Sequence, residues 1–388
     1  MTTVREHIDA DENRAQPDDG IALCLSGGGY RAMLFHVGAV LRLNEMGVLT
    51  KLSRVSSVSG GSITAAVLAN HWARLHVDSR GRVENLLTEV VEPICKLAST
   101  TIDRGSILGG VLLPGSVNDR IVTHYRDILF GRDTLQNFPS DDKGPRFVIT
   151  ATNVQSGALV RFSRPYLADY RVGMIQNPKI LIAEAVAASS AFPPFLSPAE
   201  LDLDPDAFMR NPQCDLQQEP YTDTMLLTDG GVYDNLGLEP AWKRYRTILV
   251  SDGGGKMQAE PEPAGNWAEH SKRILDIVDN QVRSLRKRQI IDSYKTRERL
   301  GTFWGIGTNI RDYELDDAMV VPFERSTQLA LTPTRLKKLS LARQHQLMNW
   351  GYAVCDAAIR KHVPDVMEAD TPAPSFPLAG GIPQIGRE

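Results

Sequence analysis

Short apolar runs that end in glycine or serine turns alternate with longer amphipathic segments along the chain. Residues 21–25 are continuously apolar, as is typical of a strand buried on both faces, and Ser26 and three glycines follow them. Residues 30–46 repeat their apolar positions at helical spacing, and Gly47 follows as a C-cap. This order predicts an α/β fold with a central, mostly parallel sheet sandwiched by helices.

Later strands are also predicted to end in glycine turns. Residues 146–152 are β-branched and apolar, and residues 157–162 alternate as a hairpin partner would. The strands predicted at 225–228 and 247–250 each run into paired or triple glycines. In an open parallel sheet such turns gather at the carboxyl ends of the strands, where sites form.

The same pattern predicts the domain organisation. A flexible acidic arm covers residues 1–19, and a single domain covers 20–363. Within that domain, about 196–223 has no periodicity and is predicted as a long surface insertion, and about 266–363 is mostly helical. The tail, 364–388, is rich in Pro and Gly and is predicted to be disordered.

A helix predicted within 266–299 has an unusual distribution of charge. Its apolar residues share one face, and its polar face is mostly basic. The apolar residues are Ile274, Ile277, Val278, Val282 and Leu285. A solvated basic face is the favoured interpretation, and a surface that rests on anionic lipid is the alternative.

Composition narrows the function classes. The chain has 388 residues, 42% hydrophobic and 23% charged, with a net charge of -4, as expected of a soluble globular protein without a nucleic-acid partner. Its four cysteines are widely separated, so neither a zinc site nor a disulfide framework is indicated. The polar, acidic N-terminus does not resemble a signal peptide, and no apolar run is long enough to span a bilayer. We therefore expect a cytoplasmic protein whose membrane contact, if any, is peripheral; its oligomeric state is left open.

Three separate stretches together supply the parts for acyl transfer. Ser59 falls where a strand turns sharply into a helix, with Gly60 beside it, which suits a nucleophile. Asp229 precedes two glycines and is a candidate base, and the glycine loop can aim N–H groups at an oxyanion. Each stretch alone is equally typical of a turn without chemistry.

The stretches resemble the blocks of the patatin-like phospholipase family, over about residues 20–252. The matching blocks are Gly27-Gly28-Gly29-Tyr30-Arg31, Ser57-Val58-Ser59-Gly60-Gly61 and Asp229-Gly230-Gly231, with two weaker blocks at 151–157 and 188–193. The resemblance implies a three-layer architecture and a carboxylic ester hydrolase, without cofactor or metal, that acts on phospholipids or lysophospholipids. It also implies a Ser59–Asp229 dyad, an oxyanion hole at Gly27, Gly28 and Gly29, and a substrate-binding or loop-supporting role for Arg31 and Gly60. A direct carboxylate base requires that burial raise the pKa of Asp229.

The chain departs from the family pattern at three positions. Ser57 stands where the elbow usually has glycine, Ser26 where Asp or Gly is usual, and Ala32 where glycine often follows the arginine. A side chain at the crowded elbow entry predicts a slightly altered geometry. The other two departures concern substrate preference more than mechanism.

The sequence leaves alternatives for the catalytic base and for the role of Arg31. Asp252 also precedes glycines and is a second candidate base, and His270 or His345 would allow a Ser, Asp, His order. Arg31 either fastens the glycine loop by an ion pair or contacts substrate phosphate.

Two other functions are consistent with the sequence. One is a latent or degenerate lipid-binding effector that needs an activator. The other is dinucleotide binding through Gly27-x-Gly29-x-x-Ala32, although the second strand ends in serines where that fingerprint wants an acidic residue.

Overall fold

The computed structural model describes residues 17–102, 116–194 and 196–383, and ten strands in these ranges form one sheet. The strands are β1 (Asp18–Leu25), β2 (Leu52–Val58), β3 (Arg146–Asn153), β4 (Leu159–Phe162), β5 (Tyr166–Asp169), β6 (Gly173–Gln176), β7 (Ala199–Asp202), β8 (Thr224–Asp229), β9 (Tyr245–Asp252) and β10 (Leu300–Gly305). The order along the sheet is β10-β9-β1-β2-β3-β4-β5-β6, and β8 pairs with both β3 and β7.

The sheet has a parallel centre and an antiparallel extension. Strands β10, β9, β1, β2 and β3 are parallel neighbours, whereas β4, β5 and β6 continue from β3 in antiparallel fashion. Strand β1 is buried on both faces, with Leu23 and Leu25 in one core cluster and Ala22 and Cys24 in another. Alternating side chains point to opposite faces, so a continuous apolar run suits a strand between two helical layers.

Helices cover both faces of the sheet. They are α1 (Gly29–Glu45), α2 (Gly60–His71), α3 (Glu92–Ala98), α4 (Ser116–Tyr125), α5 (Ile182–Ser189), α6 (Gly231–Asp234), α7 (Glu239–Trp242), α8 (Trp267–Lys295), α9 (Phe323–Ala330) and α10 (Leu341–His362). Helices α1 and α10 lie on the side of Leu23, and α7 and α8 lie on the side of Ala22. The predicted α/β class with helices on both faces of the sheet is therefore confirmed.

Two glycines allow α1 and α10 to approach closely. A Cβ on Gly38 would lie 1.8 Å from the carbonyl oxygen of Met348, and a Cβ on Gly351 would lie 1.9 Å from that of Phe35. Backbone therefore contacts backbone where these helices cross. This contact holds α1, which begins at the glycine loop, in a fixed position under the site.

The prediction of a disordered tail is wrong for residues 364–383. The N–H of Glu368 donates to the carbonyl of Met46 at 2.9 Å, and Asp370 forms an ion pair with Arg82 at 2.6 Å. Its backbone and charged groups are paired with the body of the domain, and Ile382 is buried in the main hydrophobic core.

Other predictions are met in part. The predicted insertion contains β7, which pairs with β8, so it is more ordered than its composition indicated. The pair Gly109 and Gly110 is typical of a link between elements, but this pair and most of the predicted arm lie outside the described residues. None of the helices in the described ranges has the length and apolar character to cross a bilayer.

Candidate active site

The turn between β2 and α2 holds Ser59 in a strained conformation. Its φ is 50° and its ψ is −119°, and a left-handed φ costs a non-glycine residue about 1 to 2 kcal/mol. Gly60 and Gly61 are required next to it, because a Cβ there would lie 2.2 Å from the carbonyl oxygen of Gly29 and 2.4 Å from that of Leu25. The turn therefore places Ser59 directly against the glycine loop, at the start of a helix.

A chain of serine hydroxyls supports this turn. The N–H of Ser59 donates to Oγ of Ser189 at 2.9 Å, and Ser189 is 2.9 Å from Oγ of Ser62. Ser62 donates to Oγ of Ser57 at 3.1 Å, and Ser57 donates to the carbonyl of Val148 at 3.4 Å. Ser57 thus fills the usual glycine position as part of a hydrogen-bonded chain. It also keeps its place in the register of β2.

Asp229 is buried at the end of β8 and contacts Ser59. Burial raises the pKa of its carboxyl to about 7, although the N–H of Gly231, which donates to Oδ1 at 2.7 Å, and a hydrogen bond with the Ser59 side chain both oppose the shift. The negative charge of Asp279, on α8, adds to it. A carboxyl with this pKa is a competent proton acceptor near neutral pH.

Sheet register explains how residues so distant in sequence meet. Val58, the last residue of β2, pairs with Thr150 of β3, and Asp229 pairs with Ala151, the next residue along β3. Strand β4 pairs with one edge of β3. On the other edge, β2 pairs with β3 as far as the elbow, and β8 pairs with β3 beyond it. Ser59 and Asp229 therefore lie end to end, where one strand replaces another.

This arrangement corrects one prediction. The sequence predicts Asp229 at the carboxyl end of a parallel strand. In the structure β8 runs antiparallel to β3, so Asp229 lies at the end of an antiparallel strand. Local sequence could not show this, because strand direction depends on a partner far away along the chain.

The two weaker sequence blocks frame the Asp229 backbone. The Asp229 N–H donates to the carbonyl of Ala191 at 3.0 Å, and the Thr152 hydroxyl donates to the Asp229 carbonyl at 3.0 Å. Neither Thr152 nor Ser189 was singled out from the sequence. The resemblance to the family could have indicated both residues, since Thr152 lies in the block 151–157 and Ser189 in the block 188–193.

The glycine loop before α1 lies beside the elbow. Gly28 and Gly29 have φ of 141° and 61°, which side chains rarely adopt. The N–H of Gly27 donates to the carbonyl of Asn235 at 3.0 Å. Among the described residues, no bond engages the N–H of Gly28 or Gly29, so those two donors are available to a ligand at the N-terminus of the helix.

Arg31 fastens this loop to two others. It is buried, and its Nε and Nη1 donate to the carbonyls of Gly253 at 2.9 Å and Thr332 at 2.5 Å. Burial lowers the pKa of the guanidinium to about 10. These contacts favour the interpretation in which Arg31 fastens the glycine loop. It does so by hydrogen bonds to backbone carbonyls, and the expected alternative was an ion pair.

His36 supports the loop from beneath, a role that the sequence did not indicate. It is fully buried, with Nε2 2.9 Å from the carbonyl of Ser26 and Nδ1 2.8 Å from Oγ of Ser251. Because a carbonyl only accepts, Nε2 carries the proton and donates. Burial lowers the pKa of His36 to about 4, which keeps the ring neutral.

The alternative catalytic residues lie elsewhere. His270 is exposed on α8, and Nδ1 of His345 is 3.3 Å from the carbonyl of Ala379. Oδ1 of Asp252 accepts the N–H of Gly254 at 2.9 Å. The Ser59 side chain bonds to Asp229.

Comparison with known proteins places the chain in a family. A model of the patatin-like phospholipase family matches residues 23–242. No curated protein shows a match. Among solved structures, human GIVD cytosolic phospholipase A2 is similar at 12% identity and a TM-score of 0.49, covering 92% of this chain and 61% of that chain. VipD from Legionella pneumophila is similar at 16% identity and a TM-score of 0.36, covering 89% of this chain and 67% of that one.

The chain spans about three fifths of the length of the human phospholipase chain. The family match begins within β1 and ends within α7, so it includes the glycine loop, the elbow and the Asp229 turn. Because it covers more than half of the 388 residues, the protein belongs to the patatin-like phospholipase family.

Proposed function

We propose that this protein is a serine lipid acyl hydrolase that cleaves fatty-acyl esters of phospholipids or lysophospholipids through a Ser59–Asp229 dyad. The observation that carries the proposal is a serine on a strained elbow whose side chain interacts with a buried carboxyl of pKa about 7. Membership of the patatin-like phospholipase family supports the substrate class.

In the first half-reaction, Asp229 accepts the Ser59 proton as Oγ attacks the acyl carbonyl carbon. The carbonyl π electrons move to oxygen and form a tetrahedral oxyanion. When the carbonyl re-forms, the bond to the alcohol oxygen breaks, and that oxygen takes the proton from Asp229. An ester of Ser59 with the fatty acid remains.

In the second half-reaction, water replaces the departed alcohol. Asp229 accepts a proton from the water as its oxygen attacks the acyl carbon, and collapse of the second oxyanion breaks the bond to Ser59. The Ser59 oxygen regains a proton from Asp229. A free fatty acid and the starting enzyme result.

The oxyanion is assigned to the N–H groups of Gly28 and Gly29. The N–H of Gly27 is already bonded to Asn235, so Gly27 serves the turn in this proposal. A Cβ on Gly27 would lie 3.3 Å from the Ser59 Cβ and 2.3 Å from Oδ1 of Asn235. A well-placed donor of this kind contributes about 3 to 4 kcal/mol to the transition state.

The test measures fatty acid released from phospholipid by wild type, Ser59→Ala and Asp229→Asn in the presence of EDTA. Both variants should lose activity by about a thousandfold or more. Ser53→Ala, at the opposite end of β2, is the matched serine control and should keep full activity. A lipid fluorophosphonate, which phosphonylates an activated serine with loss of fluoride, should label wild type and Ser53→Ala but not Ser59→Ala.

The same assay discriminates between the two candidate bases. Asp252→Asn is expected to keep its activity, because the Ser59 side chain interacts with the carboxyl of Asp229, whereas the carboxyl of Asp252 accepts the N–H of Gly254. Loss of activity in Asp252→Asn with retention in Asp229→Asn would reverse the assignment. Full activity in Ser59→Ala would overturn the proposal.

A further inference from the structure

Helix α8 presents apolar side chains to solvent. Trp267, Ile274, Val278 and Leu285 are 83%, 46%, 53% and 57% exposed. Their spacing of seven, four and seven residues places them on one line along the helix, which we call the outer stripe. At 1.5 Å per residue the stripe is about 27 Å long.

As far as Arg286, the side of α8 that contacts the body of the protein is polar, and only the last turns of the helix bury an apolar residue, Ile290, in the core. Arg283 donates to the carbonyl of Gly255 at 2.6 Å, and Arg286 forms an ion pair with Glu239 at 3.0 Å. An ordinary surface helix has the reverse orientation, with its apolar side inward. Packing of α8 against the core therefore does not explain the outer stripe. Among the described residues, no other segment covers this apolar face.

Helix α8 is also next to the proposed site. It packs against α6, the short helix that begins two residues after Asp229. The charge of Asp279, on the body side of α8, acts on Asp229. The helix that carries the stripe is therefore a neighbour of the Asp229 turn.

The composition of α8 favours a bilayer over a second helix as the occupant. Pairing with a second copy needs apolar residues at every seam position of a heptad repeat. The register that places the stripe on a seam also places Ser271, Gln281 and Arg288 there. By contrast, an apolar stripe that begins with Trp267 and continues into the exposed Arg288 suits the interface of an anionic membrane.

We propose that the outer stripe of α8 is the surface by which this protein lies on an anionic phospholipid bilayer. Apolar side chains enter the boundary between head groups and acyl chains, and the exposed Arg288 adds attraction to anionic lipid. The further statement that docking delivers substrate to Ser59 rests on the proposed function. Docking itself does not.

The test is flotation of the full chain with vesicles of phosphatidylcholine and phosphatidylglycerol in equal amounts. Val278→Glu should weaken binding by about tenfold, because it replaces an inserted apolar group with a charge that anionic lipid repels. Val77→Glu is the matched control. Val77 is 52% exposed, close to the 53% of Val278, but it lines a cleft with Leu52 at the amino end of β2. This variant should bind as wild type does.

Two readouts separate docking from catalysis. Ser59→Ala should bind vesicles as wild type does, and Val278→Glu should hydrolyse a short-chain soluble ester at the wild-type rate while losing hydrolysis of vesicle lipid. Vesicle binding that depends on Val278 supports the docking surface even if neither substrate is hydrolysed.

Three results would overturn the inference. One is absence of vesicle binding by wild type. Another is equal binding by Val278→Glu and Val77→Glu. The third is a wild-type dimer in sedimentation that Val278→Glu dissociates and that binds no vesicles, which would assign the stripe to a second copy.

Discussion

Replacing Asp229 by Asn should abolish activity and yet stabilise the fold at alkaline pH. Burial raises the pKa of Asp229 from 3.8 to about 7, so the folded state holds this proton more tightly than the unfolded chain does. The stabilisation from the proton is complete below pH 3.8 and is lost as pH rises through about 7. Relative to a side chain that cannot ionise, Asp229 therefore lowers the free energy of unfolding by about 4 kcal/mol at about pH 8, and by about 1.7 kcal/mol at about pH 5, where the unfolded chain but not the folded protein is ionised at this residue.

Asn cannot ionise, and its amide oxygen can still accept the N–H of Gly231 as Oδ1 of Asp229 does. Burying the extra amide N–H groups adds a cost that is the same at each pH. The free energy of unfolding of Asp229→Asn, relative to wild type, should thus rise by about 2.5 kcal/mol between about pH 5 and pH 8.

Urea unfolding, followed by tryptophan fluorescence at both pH values, measures this difference. Asp19→Asn reports the effect of removing one surface carboxylate, since the Asp19 side chain is 93% exposed. A pH-independent offset between Asp229→Asn and wild type would refute the reasoning, because it would mean that burial does not raise the pKa of this carboxyl.

Three further predictions concern the surroundings of the dyad. Asp279→Asn removes a negative charge that raises the pKa of Asp229, so the acid limb of the pH profile of kcat/KM should move to lower pH. The rate is measured as extracted fatty acid, and an unmoved limb would contradict the effect of Asp279 on Asp229. Gly60→Ala places a methyl group 2.2 Å from a loop carbonyl, whereas a Cβ on Gly265 would meet nothing within 4 Å. Gly60→Ala should therefore lower activity and Tm, and Gly265→Ala should lower neither; equal Tm values would argue against backbone contact at the elbow. Ser189→Ala removes the hydroxyl that accepts the nucleophile's N–H at 2.9 Å, so kcat should fall about tenfold with little change in KM; an unchanged kcat would show that this hydroxyl does not position the elbow.

Much of the fold and the parts of the candidate site were predictable because they are local. A buried strand, a glycine loop and a helix follow one another within 18–45, and β2, Ser59 and α2 do so within 52–71. Backbone conformation at these turns depends on residue types a few positions apart. The glycines at the elbow are required by contacts with a loop that the same sequence blocks predict.

Composition was a poorer guide where order comes from scattered polar contacts. The tail was predicted to be disordered from its Pro and Gly content, but Glu368 and Asp370 are paired with Met46 and Arg82. For α8, by contrast, the spacing of the apolar positions correctly predicted a helix. Periodicity shows that such residues share a face, but not whether that face points inward or outward.

Only the tertiary structure decided how the parts meet. The antiparallel direction of β8, and its pairing with the edge of β3 that β2 leaves, bring Asp229 to Ser59. The support that His36 gives to the loop was equally invisible in the sequence, since its partner Ser251 lies far along the chain. The sequence by itself determined the turns and the residue types of the proposed dyad, because these depend on neighbours in the chain. Strand direction, burial and the resulting pKa of Asp229 depend on distant segments, so only the folded chain decided them.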